Sequence, residues 1–98
     1  MKDYIQQAVL TEAPITPDVL KRMFDNARSI HGYTGLATEV GEFCDQFKRH
    51  IFYNTPLDPT NIEEEIGDIL WYIAILCDEY KLDLETIQQK NIRKLRDR

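Results

Sequence analysis

The sequence predicts an all-α fold, a helical bundle of four to five helices that forms one domain over residues 1–98. Apolar residues recur every three or four positions along most of the 98 residues, which is the spacing of an amphipathic helix. Prolines preceded by capping residues mark two helix starts. No stretch sustains the alternation typical of a strand, and the chain contains no Asn-Gly or Asp-Gly hairpin turn.

Five helices are expected in order along the chain. The approximate ranges are 3–11, 17–31, 34–52, 59–80 and 84–98. We expect the second helix to end near Gly32, and the fifth to begin after Asp83, a residue type that caps helix N-termini. The second and fourth helices each begin with a capping residue followed by proline, at Thr16-Pro17 and Asp58-Pro59. Proline suits the first helical position because its missing N–H is not needed there.

The third and fourth helices each carry an apolar stripe, which predicts a buried face. The stripes consist of Leu36, Val40, Phe43, Phe47 and Ile51 on the third helix, and of Ile62, Ile66, Ile69, Ile73, Leu76 and Tyr80 on the fourth. Trp71 and Ile75 lie opposite the second stripe, so that half of the fourth helix is apolar nearly all round. Because a domain of this size buries only a modest core, we expect tight pairing with further copies to complete it. The expected assembly is a homodimer or a dimer-of-dimers tetramer.

The composition excludes several classes of protein. Hydrophobic residues make up 43% and charged residues 30%, which is ordinary for a globular domain. The net charge of -5 argues against binding to a nucleic-acid polymer, which requires a basic surface. Cys44 and Cys77 lack the spacing of a disulfide framework or a zinc site. The longest apolar run is too short to span a bilayer, and residues 1–4 show no signal-peptide pattern, so we expect a cytoplasmic protein.

Two pairs of carboxylates lie at the shoulders of the apolar stripes. Glu39 and Glu42 are three residues apart on the third helix, and Glu65 and Asp68 are three residues apart on the fourth, so each pair lies on one helix face. If the helices pack antiparallel through their stripes, all four carboxylates converge on one cleft. Clustered carboxylates repel one another unless a cation neutralises them. Hard oxygen ligands favour Mg²⁺ or Mn²⁺ over zinc, which predicts metal-assisted phosphate chemistry.

A glycine stands inside each acidic pair, at Gly41 and Gly67. Glycine in the middle of a helix costs about 1 kcal/mol relative to alanine. The two glycines therefore indicate either a close approach between helices or room for a ligand. Acidic pairs at this spacing also occur on solvated helix faces, where they have no function.

Several segments resemble the MazG-like nucleoside triphosphate pyrophosphohydrolases. Residues 35–42, GLATEVGE, resemble the first acidic motif of that family, and residues 64–72, EEIGDILWY, resemble the second. Lys48 resembles a lysine that often follows on the first acidic helix. Residues 91–96, NIRKLR, resemble the family's C-terminal basic motif. The resemblance covers about residues 30–98.

The resemblance implies a helical fold with tightly paired subunits. It also implies hydrolysis of a (deoxy)nucleoside triphosphate between the α- and β-phosphates, which gives a monophosphate and pyrophosphate. The residues that would be catalytic and bind Mg²⁺ are Glu39, Glu42, Glu65 and Asp68, and those that would bind the substrate are Lys48, Asn91 and Lys94.

One position departs from the family's pattern, and two other functions stay open. Many relatives carry a further acidic residue directly before the first Glu, where this chain has Thr38. Another carboxylate or the metal must then supply the base. One alternative function is phosphoribosyl-ATP pyrophosphohydrolase, a helical relative with similar acidic motifs. The other is a non-catalytic helical interaction protein. A di-iron bundle is disfavoured because neither histidine has a Glu three residues before it.

Overall fold

The computed structural model describes residues 3–98 and confirms the all-α prediction. The helices are α1 (Tyr4–Val9), α2 (Pro17–Asp25), α3 (Ala27–Tyr53), α4 (Pro59–Glu79) and α5 (Leu84–Arg96). No strand occurs among residues 3–98. None of the helices described there is long and apolar enough to cross a membrane. Met1 and Lys2, with which the predicted domain and N-terminal segment begin, lie outside the described residues.

The helix starts lie where the capping residues predict them. Thr16, Asp58 and Asp83 each accept a hydrogen bond from a backbone N–H of the following turn, at 3.3, 3.0 and 3.1 Å. Such a bond satisfies one of the N–H groups that have no partner inside the helix. Local chemistry therefore decides where α2, α4 and α5 begin.

The boundary between α2 and α3 lies at Asn26, so the predictions that the second helix ends near Gly32 and that the third begins near residue 34 are both wrong. The backbone N–H and the side-chain amide of Asn26 both donate to the carbonyl of Arg22, at 3.0 and 2.8 Å, and close the last turn of α2. Gly32 is buried inside α3. A Cβ atom at Gly32 would lie 2.6 Å from Leu76 Cδ2 on α4. This glycine serves a close approach between helices and does not end one.

The long helices α3 and α4 pack antiparallel as a hairpin. At one end, Arg28 of α3 forms ion pairs with Asp78 and Glu79 of α4, at 2.8 and 3.1 Å. Further along, a Cβ atom at Gly35 would overlap the ring of Tyr72. The antiparallel arrangement expected from the sequence is thus present, and small residues on α3 let the two backbones approach closely.

The two apolar stripes meet only in part within one chain. The face of α3 that contacts α4 carries Gly32 and Gly35 at the edge of the stripe. Along the stripe itself, Val40, Phe47 and Ile51 keep 42%, 58% and 56% of their surface exposed. Among residues 3–98 no hydrophobic side chain is fully buried. The stripe residue Leu76 of α4 packs against Gly32 of α3, whereas much of the α3 stripe stays uncovered within one chain.

The single chain is more open than a compact monomer. Its radius of gyration is 19.3 Å, whereas a compact domain of this length has about 13 Å. Its accessible surface is 8551 Å², whereas a monomer of this mass exposes about 5,800 Å². Extensive packing is confined to α3 with α4, and α2 contacts α3 to a smaller extent. The chain alone leaves its apolar core incomplete.

Candidate metal centre

Three of the four predicted carboxylates converge between α3 and α4. One oxygen from each of Glu39, Glu42 and Glu65 lies within 4.8 Å of the other two. The three-residue spacing turns Glu39 and Glu42 to the same face of α3, and the antiparallel register brings Glu65 of α4 opposite them. The convergence expected from the sequence is therefore present for these three residues.

Asp68 stands apart from this group. It lies one turn along α4 from Glu65 and is exposed. It is not among the three residues whose oxygens lie within 4.8 Å of one another. Its negative charge nevertheless helps to raise the pKa of Glu39. Asp68 is thus a neighbour of the cluster, and its role as a metal ligand stays a prediction.

The cluster holds carboxylate oxygens that have no donor. Glu39 Oε2 and Glu65 Oε2 are both buried and have no hydrogen-bond partner. Burial is the largest cause that raises the pKa of Glu39, followed by the adjacent carboxyl group of Glu65, which favours the protonated form. The charges of Asp68 and Glu65 raise this pKa further, whereas the proximity of Glu42 lowers it. Buried carboxylate oxygens without donors are costly, and a cation bound between these half-buried side chains would offset that cost.

A cleft of about 530 Å³ opens beside the carboxylates. Its lining residues on α3 are Thr38, Gly41, Glu42, Asp45, Gln46 and Arg49, and those on α4 are Asn61 and Glu65. This volume lies within the range of small-molecule sites.

The glycines of the acidic motifs leave space open. A Cβ atom at Gly41 or at Gly67 would have no neighbour within 4 Å. The first of the two explanations for these glycines, a close helix approach, therefore does not hold within the described chain. Close approach occurs at Gly32 and Gly35 instead. Gly41 lines the cleft, where the absence of a side chain leaves room.

The cleft contains a basic residue that the sequence analysis missed. Asp45 Oδ2 lies 2.9 Å from Arg49 Nε, and Asp45 Oδ1 lies 3.1 Å from Lys48 Nζ. The hydrogen bond from Lys48 is the largest cause that lowers the pKa of Asp45, with the charges of both basic residues adding to it. Arg49 lines the cleft and Lys48 does not. Helix spacing could have indicated Arg49 from the sequence. It follows Glu42 by seven residues, which is two turns, and therefore lies on the same helix face.

The predicted substrate-binding residues of α5 lie away from this cleft within one chain. Asn91 and Lys94 are exposed on α5. Neither lines the cleft, and α5 does not pack along α3 or α4. Contact of Asn91, Lys94 and Lys48 with phosphate stays a prediction from the resemblance.

Fold and site together define an all-α protein whose antiparallel helix hairpin presents carboxylates from both helices. Residues 31–98 match the family model of the MazG nucleotide pyrophosphohydrolase domain. The chain belongs to this family, and the matched range agrees with the extent of the resemblance seen in the sequence.

A curated relative is the gene 37 protein of Mycobacterium phage L5. It is 31% identical over 68 residues, which cover 65% of this chain and 60% of that protein. The chain therefore spans less than two thirds of this relative's length, and the relative's name states no activity. No solved structure matches the chain.

Proposed function

We propose that this protein is a magnesium-dependent nucleotide pyrophosphohydrolase. It cleaves a (deoxy)nucleoside triphosphate between the α- and β-phosphates and releases a monophosphate and pyrophosphate. One observation carries the proposal: Glu39, Glu42 and Glu65 bring oxygens within 4.8 Å of one another, and two of these side chains bury an oxygen without a donor. Membership of the MazG family supports it.

The donor set fits Mg²⁺, with Mn²⁺ as the alternative. The group consists of carboxylates alone. Hard oxygen ligands suit these ions, which commonly join protein carboxylates to substrate phosphates. Glu39, Glu42 and Glu65 would hold the ion, with Asp68 as a further predicted ligand. When bound, the metal supplies Lewis-acid polarisation of the phosphate and lowers the pKa of an attacking water.

The chain's own residues bind and orient the triphosphate and accept the water's proton. Thr38 is an unsuitable base, because its hydroxyl donates to the carbonyl of Thr34 at 2.9 Å and a hydroxyl binds protons weakly at neutral pH. The carboxylates of Glu39 and Glu42 are the candidates on this part of α3.

We also propose that the protein works as a homo-oligomer, either a homodimer or a dimer of dimers. The chain exposes 8551 Å², about 2,700 Å² more than a compact monomer of its mass. Obligate homodimers bury about 2,000–5,000 Å² in total, so the excess matches a large subunit interface. An open apolar groove lies on the stripe side of the hairpin, lined in part by Phe43, Phe47, Leu57 and Ile62. A second copy would cover such a surface.

The proposal is tested by measuring pyrophosphate release from a panel of ribo- and deoxynucleoside triphosphates, with and without Mg²⁺. The variants are Glu65→Gln, in the cluster, and Glu63→Gln, an exposed residue on the same helix outside the cluster. We expect turnover of one or a few nucleotides, retained by Glu63→Gln and lost both in Glu65→Gln and without Mg²⁺.

Two other outcomes would redirect the proposal. Turnover of phosphoribosyl-ATP alone would identify the alternative enzyme with similar acidic motifs. No pyrophosphate from any nucleotide, at a concentration where the protein is folded and oligomeric, would favour the non-catalytic interaction protein.

A further inference from the structure

We infer that Arg49, held in place by Asp45, binds the phosphates of the substrate that leave as pyrophosphate. This inference rests on the proposed function and assigns to that site its principal phosphate-binding side chain. It adds to the expectation drawn from the resemblance, in which Lys48, Asn91 and Lys94 bind the substrate and Arg49 has no role.

The position of Arg49 follows from the periodicity of α3. Thr38, Glu42, Asp45 and Arg49 are separated by four, three and four residues, so they follow one another along a single helix face. All four line the cleft beside the carboxylates. Arg49 lies two turns beyond Glu42, about 10 Å along the helix axis. The phosphorus that is attacked must lie at the carboxylates, so Arg49 meets a part of the substrate further from that atom.

The guanidinium group of Arg49 is oriented for a ligand. Arg49 Nε forms an ion pair with Asp45 Oδ2 at 2.9 Å. Within residues 3–98 its two terminal NH₂ groups have no carboxylate partner. A planar guanidinium with these groups available can bind phosphate oxygens through two parallel hydrogen bonds. Lys48 binds the other oxygen of Asp45 and keeps that carboxylate charged and in place.

Arg49 gives this end of the cleft a positive charge and hydrogen-bond donors that suit an anionic ligand. Glu42, Asp45 and Glu65 are acidic lining residues, and Arg49 is the cationic lining residue in the part of the chain that the structure describes. A polyphosphate entering this cleft needs a positive partner in addition to metal ions. Gln46 also lines the cleft and lies three residues before Arg49 on the same helix face. Its buried Nε2 has no acceptor, and a rotation of this side chain toward the cleft would offer a phosphate oxygen a second donor.

The test compares Arg49→Gln and Arg49→Lys with Lys48→Gln and a matched control. Lys21→Gln is the control, because Lys21 also pairs with an aspartate four residues away on an exposed helix face. Two quantities are measured for each variant: kcat/KM for the nucleotide that the wild type hydrolyses, and the affinity for inorganic pyrophosphate with Mg²⁺ by calorimetry. The second measurement does not depend on turnover.

We expect Arg49→Gln to lower kcat/KM and pyrophosphate affinity by roughly 10- to 100-fold, because it removes a charged hydrogen-bond donor. Arg49→Lys should fall in between, since it keeps the charge and loses the planar fork. Lys48→Gln should lose less than Arg49→Gln, and Lys21→Gln should match the wild type.

Two results would overturn the inference. The first is an Arg49→Gln variant with wild-type kcat/KM and pyrophosphate affinity. The second, which decides the question if Arg49→Gln does not fold, is a folded Arg49→Lys variant that equals the wild type in both measurements.

The failure of the proposed function has a different signature. If pyrophosphate binding depends on Arg49 but no nucleotide is hydrolysed, the anion site stands and the hydrolase proposal falls. If nucleotides are hydrolysed with no effect of Arg49, the hydrolase stands and the anion site falls.

Discussion

Replacing glycines of α3 and α4 by alanine should separate close helix contact from open space. Alanine gains about 1 kcal/mol over glycine in a helix interior. At Gly67 nothing lies within 4 Å of the added Cβ, so Gly67→Ala should raise stability by about that amount. At Gly35 the added Cβ would overlap three atoms of the Tyr72 ring. Overpacking of this kind costs about 1–3 kcal/mol, and a rigid ring places the cost near the upper end.

Gly35→Ala should therefore lower stability by about 2 kcal/mol after the helix gain is counted. The two variants should differ by about 3 kcal/mol, which corresponds to more than about 10 °C in Tm for a domain of this size. The assay is thermal unfolding followed by circular dichroism, at equal protein concentration because oligomers melt in a concentration-dependent way. A Gly35→Ala variant that melts as high as Gly67→Ala would refute the close contact between α3 and α4.

Three further outcomes test the metal site, the subunit interface and a helix cap. Mg²⁺ should raise the Tm of the wild type and of Glu63→Gln but not of Glu65→Gln, because a ligand that binds the folded state stabilises that state. Equal rises in all three proteins would contradict the metal site. Phe47→Glu puts a charge on the exposed apolar stripe of α3. Light scattering should then show a smaller molecular mass than that of the wild type. An unchanged mass would argue against subunit pairing through this face. Hydrogen bonds from the side chain and backbone of Thr86 lower the pKa of Asp83 from 3.8, so its stabilisation is present above pH 3.8 and is lost as the pH falls through the lowered pKa. Asp83→Asn should flatten that part of the Tm profile, and an unchanged profile would count against the cap.

The starts of α2, α4 and α5 were predictable, whereas the boundary between α2 and α3 was not, for reasons that lie in the residues involved. The caps at Thr16, Asp58 and Asp83 act on N–H groups within three residues, so the local sequence contains all the information. A glycine such as Gly32 has two meanings, a helix terminus or a close helix contact. Only the position of Leu76 on α4, 44 residues away in sequence, decides between them.

The two acidic pairs of the candidate site were predictable from the sequence, but which of their carboxylates come together was not. Helical periodicity alone places Glu39 beside Glu42 and Glu65 beside Asp68. Which members meet depends on the register of α3 against α4, and the register selects Glu65. The same register puts Asn61 and Arg49 at the two walls of one cleft, a relation that no single helix reveals.

The sequence by itself determined the all-α class, the capped helix starts and the acidic face of each long helix. These properties depend on spacing and hydrogen bonds within a few residues. The tertiary structure decided which glycines contact a neighbouring helix, which carboxylates converge, which basic residue lines the cleft and how much apolar surface one chain leaves open. Those properties depend on the rotation and translation of α3 against α4, and contacts between residues distant in sequence set both.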